Sequence, residues 1–158
     1  MAAFMDWLRK EAPRFSPFNV LAYDGLDLVG YESRGDRIVE FAPGIHGVSN
    51  GDFDEPWPKV AALKASMPKV LDDDGALLTL LADTHRFADD ILPHTGFPIE
   101  WERALSSAFV RAPTYGTRTS TIIRMGQETI SMLEQRYAPE GPEGQSEFQF
   151  HWRSWGEF

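Results

Sequence analysis

Two short stretches concentrate the residue types that can do chemistry. One runs from His46 to Lys59 and holds Ser49, Asn50, Asp52, Asp54 and Trp57-Pro58-Lys59. The other is Tyr115-Gly116-Thr117-Arg118-Thr119-Ser120-Thr121, a small-residue turn leading into a strand with an arginine in its middle. An Asn50 amide and an Arg118 guanidinium brought together could hold a carboxylate or a developing oxyanion. The plain structural readings are a satisfied loop imidazole for His46 and a surface cation for Arg118. Sequence alone does not show that the two stretches meet.

Other chemistries find less support. Gly47-Val48-Ser49-Asn50-Gly51 has the bare glycine spacing of a nucleophile elbow. An elbow needs a parallel strand before it and a helix at once after it. Here antiparallel strands are expected before it, and the next helix is expected only at Asp54. The histidines are His46, His85, His94 and His151, and none shares a predicted helix with a partner four residues away. A transition-metal site is therefore not expected. Asp72-Asp73-Asp74 reads as a solvated helix cap, since a calcium loop needs further oxygen ligands at fixed offsets.

Composition narrows the classes. The 158 residues carry 15 basic and 24 acidic side chains, a net charge of −9, which argues against a phosphate-binding footprint. No apolar run approaches the roughly 18 residues of a membrane span. The absence of cysteine excludes disulfides, thiolate metal sites and a Cys nucleophile in the chain as written. Asp6 interrupts the first apolar stretch and no basic segment precedes it, so the expected compartment is the cytoplasm, with organellar association left open. With 42% apolar residues, the chain can fill one core, and residues 1–158 are expected to form a single domain.

The elements that must position these residues follow from periodicity and punctuation. Residues 3–12 predict a helix with Phe4, Trp7, Leu8 and Glu11 at helical spacing, ended by Pro13. Strands are expected at 18–23, 26–33 and 37–41, joined by turns at Asp24-Gly25 and Arg34-Gly35-Asp36. A loop with a short strand follows over 43–50. Asp54 is expected to cap a helix whose face carries Val60, Leu63 and Met67. The acidic triplet caps the next helix, 76–82, and 84–99 is an irregular connection. A helix at 100–109 leads to strands at 119–125, 128–137 and 147–152, with the Pro/Gly/Glu-rich 139–145 stretch as a connection. Phe148, Phe150 and Trp152 alternate with polar residues, which predicts one buried face. The order of strands, helices and strands predicts an α+β fold with antiparallel sheets layered with helices.

Four ordered blocks carry a resemblance. Phe18-Asn19-Val20-Leu21, Pro43-Gly44-Ile45-His46-Gly47-Val48-Ser49-Asn50, Pro56-Trp57-Pro58-Lys59-Val60 and Tyr115 to Thr121, with Phe148-Gln149-Phe150 closing, resemble the NRDE family, also called the Transport and Golgi organisation family. The likeness covers the back part of the family. Full members begin with Met-Cys and carry an Asn-Arg-Asp-Glu segment, and neither stands in this chain. The family is in turn similar to N-terminal-nucleophile hydrolases, which implies an αββα fold, incomplete here. By resemblance, Asn50 matches the oxyanion donor and Arg118 the arginine beside the nucleophile. With no counterpart to the N-terminal Cys, the chain as written is not expected to transfer acyl groups.

The resemblance further implies handling of haem or a similar hydrophobic anion, with no cofactor required. It also implies links to secretion and Golgi organisation. The ligand-binding residues would be His46, Ser49, Trp57, Tyr115 and Thr117, with Arg118 at the rim. The rival reading is a portion of an amide hydrolase whose nucleophile lies upstream. Missing front strands would leave sheet edges uncovered, so self-association is expected.

Overall fold

The computed structural model describes residues 1–151. They group into two compact units, Met1–Pro56 and the chain from Trp57 onward. Each has a three-stranded antiparallel sheet, so the α+β class is confirmed.

The first unit begins with helix α1, Ala2–Glu11, which runs into a single 3-10 turn, Ala12–Arg14, at Pro13. Three strands follow in meander order: β1 (Asn19–Tyr23), β2 (Leu28–Glu32) and β3 (Arg37–Glu40). Asp24 makes the first turn as expected, its Oδ1 accepting from the N–H groups of Leu26 and Asp27, with Gly25 at φ +99°. In the second turn the left-handed position falls to Asp36 (φ +49°), and its neighbour Gly35 is not the residue at positive φ.

The core of this unit is Met5, Leu8, Ala12, Val29 and Tyr31, with Met1, Phe18, Val20 and Ala22 packed around it. The buried helix stripe therefore runs through Met1, Met5, Leu8 and Ala12. Of the residues at helical spacing named from the sequence only Leu8 is buried; Phe4 and Trp7 stack on each other on the solvent side. Residues 1, 5, 8 and 12 keep the 3.6-residue period, whereas Phe4, Trp7 and Glu11 follow a parallel row on the next face. Spacing placed the helix, and which of its rows is buried was left to packing.

The second unit opens with α2, Pro58–Ser66, followed by a 3-10 turn at Met67–Lys69 that contains Pro68. Val60 is buried and Leu63 and Met67 are half-buried, as the spacing predicted. Asp54 is not the cap of this helix. Trp57 holds that place without a side-chain bond, because Pro58 pre-sets the first helical φ. Helix α3, Asp74–Leu81, is capped by Asp73, whose carboxylate accepts from Ala76 N–H, so the acidic triplet is a cap. After an irregular stretch with one 3-10 turn at Asp89–Ile91 comes α4, Ile99–Leu105, shorter than expected.

The second sheet is β4 (Thr119–Met125), β5 (Thr129–Ala138) and β6 (Gly141–His151), in that order. The 139–145 stretch is not a connection. The turn is only Pro139-Glu140, and β6 starts at Gly141, with Gly141 (φ +143°) and Gly144 (φ +156°) in backbone regions that glycine alone adopts easily. Ser120, Ile122 and Gln135 are buried on one face, where Arg124 reaches Asp74 at the start of α3.

The opposite face is open. Register places Ile123, Met132 and Phe148 in one row and Met125, Ile130 and Phe150 in the next. Ile123, Met125, Phe148 and Phe150 are each at least half exposed. The alternation of Phe148 and Phe150 was read correctly, but their face is not buried; Trp152 lies outside the described residues. Alternation reports which residues share a face, and only a covering layer makes that face a core.

Candidate functional site

The first sequence cluster forms a loop braced against the first sheet. Glu32, 1% exposed at the end of β2, holds the Arg37 guanidinium with both oxygens and accepts the Phe53 N–H. Burial is the largest single influence and pushes the Glu32 carboxyl up. The Arg37 hydrogen bonds, the Phe53 N–H and the Arg37 charge together overcome it and hold the group below its ordinary range. Phe53 then lies over Gly30 so closely that an added Cβ would stand 2.5 Å from the ring. Phe41 meets Phe53 edge to face at 5.1 Å. On β1, Asn19 Nδ2 donates to the Gly51 carbonyl at 2.8 Å.

His46 completes the brace. Its Nδ1 lies 2.6 Å from Asp54 Oδ2 and its Nε2 lies 2.9 Å from the Ala42 carbonyl. Asp54 Oδ1 also accepts from Gly47 N–H, and Asp54 sits at φ +58° to reach both. Each ring nitrogen of His46 faces an oxygen, so in this conformation neither offers a lone pair to a metal. The signal for this role was in the sequence: an imidazole and a carboxylate eight residues apart across a Pro/Gly-punctuated loop. Reading Asp54 as a helix cap concealed it.

Between these anchors the tip Val48-Ser49-Asn50-Gly51 is presented outward. Asn50 is exposed, and its side-chain amide bonds no described residue. Ser49 is half-buried. No strand forms over 43–50; Gly47 bonds Asp54 within the loop, and the anchors to Asn19 and Glu32 follow just beyond it at Gly51 and Phe53.

The second cluster is a tight loop in the second unit. Thr117 closes it twice, donating its N–H to the Val110 carbonyl and accepting the Val110 N–H at Oγ1. Arg111 and Gly116 bridge, and a Cβ added at Gly116 would stand 3.0 Å from the Val110 carbonyl, a tight contact. Tyr115 stands at the tip, 57% exposed, edge to face with Trp101 at 6.2 Å. Arg118 is exposed and its guanidinium has no described partner, while its carbonyl accepts from Tyr137 N–H. Trp57 contributes a buried indole N–H with no acceptor among the described residues, the kind of donor that a ligand satisfies. Lys59 donates to the Leu105 carbonyl at 2.9 Å, and burial lowers its pKa.

His46, Ser49 and Asn50 thus share one loop of the first unit. Trp57, Tyr115, Thr117 and Arg118 belong to the second. Among the described residues no group of carboxylates and histidines is arranged to hold a metal ion, and no helix is long and apolar enough to cross a membrane.

The family model described as Transport and Golgi organisation 2 matches residues 1–139. A cattle (Bos taurus) protein, Transport and Golgi organization protein 2 homolog, is 32% identical over 142 residues, covering 75% of this chain and 51% of its own length. A mouse (Mus musculus) protein, Transport and Golgi organization 2 homolog, is 27% identical over 140 residues, with the same coverage of 75% and 51%. The chain spans about half the length of the curated relatives it matches. No solved structure matches it. The ordered sequence blocks and the family match agree: the chain belongs to the Transport and Golgi organisation 2 family.

Proposed function

We propose that the chain handles a hydrophobic anionic ligand, haem or a molecule like it, without catalysing a reaction, in the cytoplasm and in support of the transport and Golgi roles for which the family is named. The observation that carries this is the open face of the second sheet. Its two apolar rows span three strands, a width of about 10 Å at the usual strand spacing. They place two aromatic rings and the thioethers of Met125 and Met132 side by side. Thioethers are soft ligands suited to haem iron, and flat aromatic surface suits a macrocycle. Arg136 lies on the same face and bonds Ser146 at 2.6 Å, giving an anionic group a cation beyond the apolar rows, although Glu134 shares the intervening row. His46, a candidate from the sequence, serves the loop instead.

Haem titration followed in the Soret region tests this. Micromolar haem is expected to give a shifted band that Met132→Ala with Phe148→Ser abolishes and His46→Ala leaves in place. A band unchanged in the double variant, or no band, would refute the assignment.

A second reading has its own support. Asn50 is an exposed, unoccupied amide on a braced loop, as a preorganised oxyanion donor must be. We infer that it would serve an amide hydrolase whose cysteine is supplied by a longer form of the protein. Amide hydrolysis by the protein from its source cells, reduced by Asn50→Ala, would favour this reading; equal rates would remove it.

A further inference from the structure

The first unit contains a cavity of about 470 Å³ that the family match does not explain. Its walls come from the C-terminal end of α1, the Ala12–Arg14 turn, the 15–17 segment and the end of β2. Arg9, Lys10, Phe15, Tyr31, Ser33 and Asp36 border it, together with Pro13 and Pro17.

The charges around this cavity are not equivalent. Arg9 is neutralised: its Nε and Nη2 donate to the two oxygens of Asp36, at 2.8 and 2.6 Å. Asp36 also accepts the Tyr31 hydroxyl at 3.2 Å, so its charge is held against the wall. Lys10 is different, because no described carboxylate pairs with it. The Ser33 oxygen accepts the Phe18 N–H at 2.7 Å, which leaves its own proton to give. The charge left over is thus one ammonium, and the Ser33 hydroxyl adds a donor at the cavity's border. The remaining wall is apolar. Phe15 is 64% exposed and held edge to face by Phe18 at 6.1 Å, an aromatic surface that an occupant would cover.

We propose that this cavity binds a small amphipathic monoanion, a carboxylate on a short apolar body, with Lys10 and Ser33 taking the carboxylate and Phe15 with Pro13 and Pro17 taking the body. The volume lies toward the lower end of the ~300–1,000 Å³ typical of small-molecule sites, which sets the size of the ligand. A dianion would leave a charge unmatched, since Lys10 is the one uncommitted cation among the described residues that border the cavity. The inference is independent of the ligand proposed above, which is placed on the second unit.

Phenylacetate and hexanoate are the probes, with phenylacetamide and hexanol as neutral counterparts. Binding is followed by amide chemical shifts in the full chain at low ionic strength. The carboxylates are expected to shift residues 9–17 and 31–33, and the neutral compounds to bind at least about tenfold more weakly, the scale of one charge-assisted hydrogen bond. Lys10→Gln is expected to weaken the carboxylates by about tenfold while the neutral compounds are unaffected. Phe15→Ala should weaken both classes. Equal affinity for acid and amide, unchanged binding in Lys10→Gln, or shifts outside these segments would overturn the proposal. If Lys10 serves only the dipole at the end of α1, its substitution lowers the melting temperature and leaves binding intact, which also overturns it. Ser33→Ala repeats the test without altering charge. Haem binding retained in Lys10→Gln separates failure here from failure of the other site.

Discussion

Phe53 donates its backbone N–H to the buried carboxylate of Glu32, and Arg37 closes on the same carboxylate from the neighbouring strand. One side chain of β2 thereby ties the loop carrying Ser49 and Asn50 to the sheet. Removing one partner of such a group costs more than the bond gains, because the others stay desolvated. Glu32→Gln is expected to lower stability by about 1–3 kcal/mol. Urea denaturation should show the loss, and hydrogen exchange should show faster opening at residues 47–55.

The same carboxylate sets a pH dependence. Glu32 is held below its ordinary value of 4.5, and Asp36, hydrogen-bonded first of all by Arg9, below its ordinary 3.8. A lowered folded-state pKa contributes stability that is complete above the unfolded value and is lost as pH falls through the folded one. The contribution of these two carboxylates should therefore be complete from neutral pH down to about 5 and be lost in acid, with a shallower acid limb in Glu32→Gln. An unaltered acid limb in that variant would contradict the assignment.

Gly30 is small because Phe53 occupies its side-chain space, at 2.5 and 2.8 Å from the ideal Cβ. Gly30→Ala should cost about 1–3 kcal/mol through overpacking. Phe53→Leu in the same chain should recover part of that loss. A double-mutant cycle measures the coupling, and additive losses would mean that the two positions do not share the contact.

At α3, Asp73 accepts the Ala76 N–H as the helix cap. Asp73→Ala should destabilise by about 1 kcal/mol, and Asp73→Ser should restore most of it. Thermal melts of the three proteins decide the point.

The open face of the second sheet carries a colloidal prediction. Phe148→Thr with Phe150→Thr should lower dye binding to exposed apolar surface and reduce any concentration-dependent increase in sedimentation coefficient. Their stability should change little, since both rings are at least half exposed. A large drop in melting temperature would mean that this face is covered in solution.

Local signals were legible in the sequence where the cause is local. The Asp24 turn, the Asp73 cap and the strand at 119–125 each depend on residues within a few positions, and each stands where its residue types placed it. The start of β6 was missed because Pro and Gly read as a connection, whereas here they fit an edge strand and a bulged hairpin. The sites were legible as clusters and not as geometry. His46 and Asp54 were both noticed, but the bond joining them requires Asp54 at positive φ, which no pattern reports.

The sequence by itself determined the fold class, the family and the two polar loops, because period, punctuation and ordered motifs are written along the chain. Tertiary structure alone decided which stripe of α1 is buried and which face of the second sheet is open. It also decided that His46 is a brace and that Lys10 has no partner among the described residues beside a cavity. These depend on which surfaces find a covering layer and which charges find each other across the fold, and both are set by groups far apart in the chain.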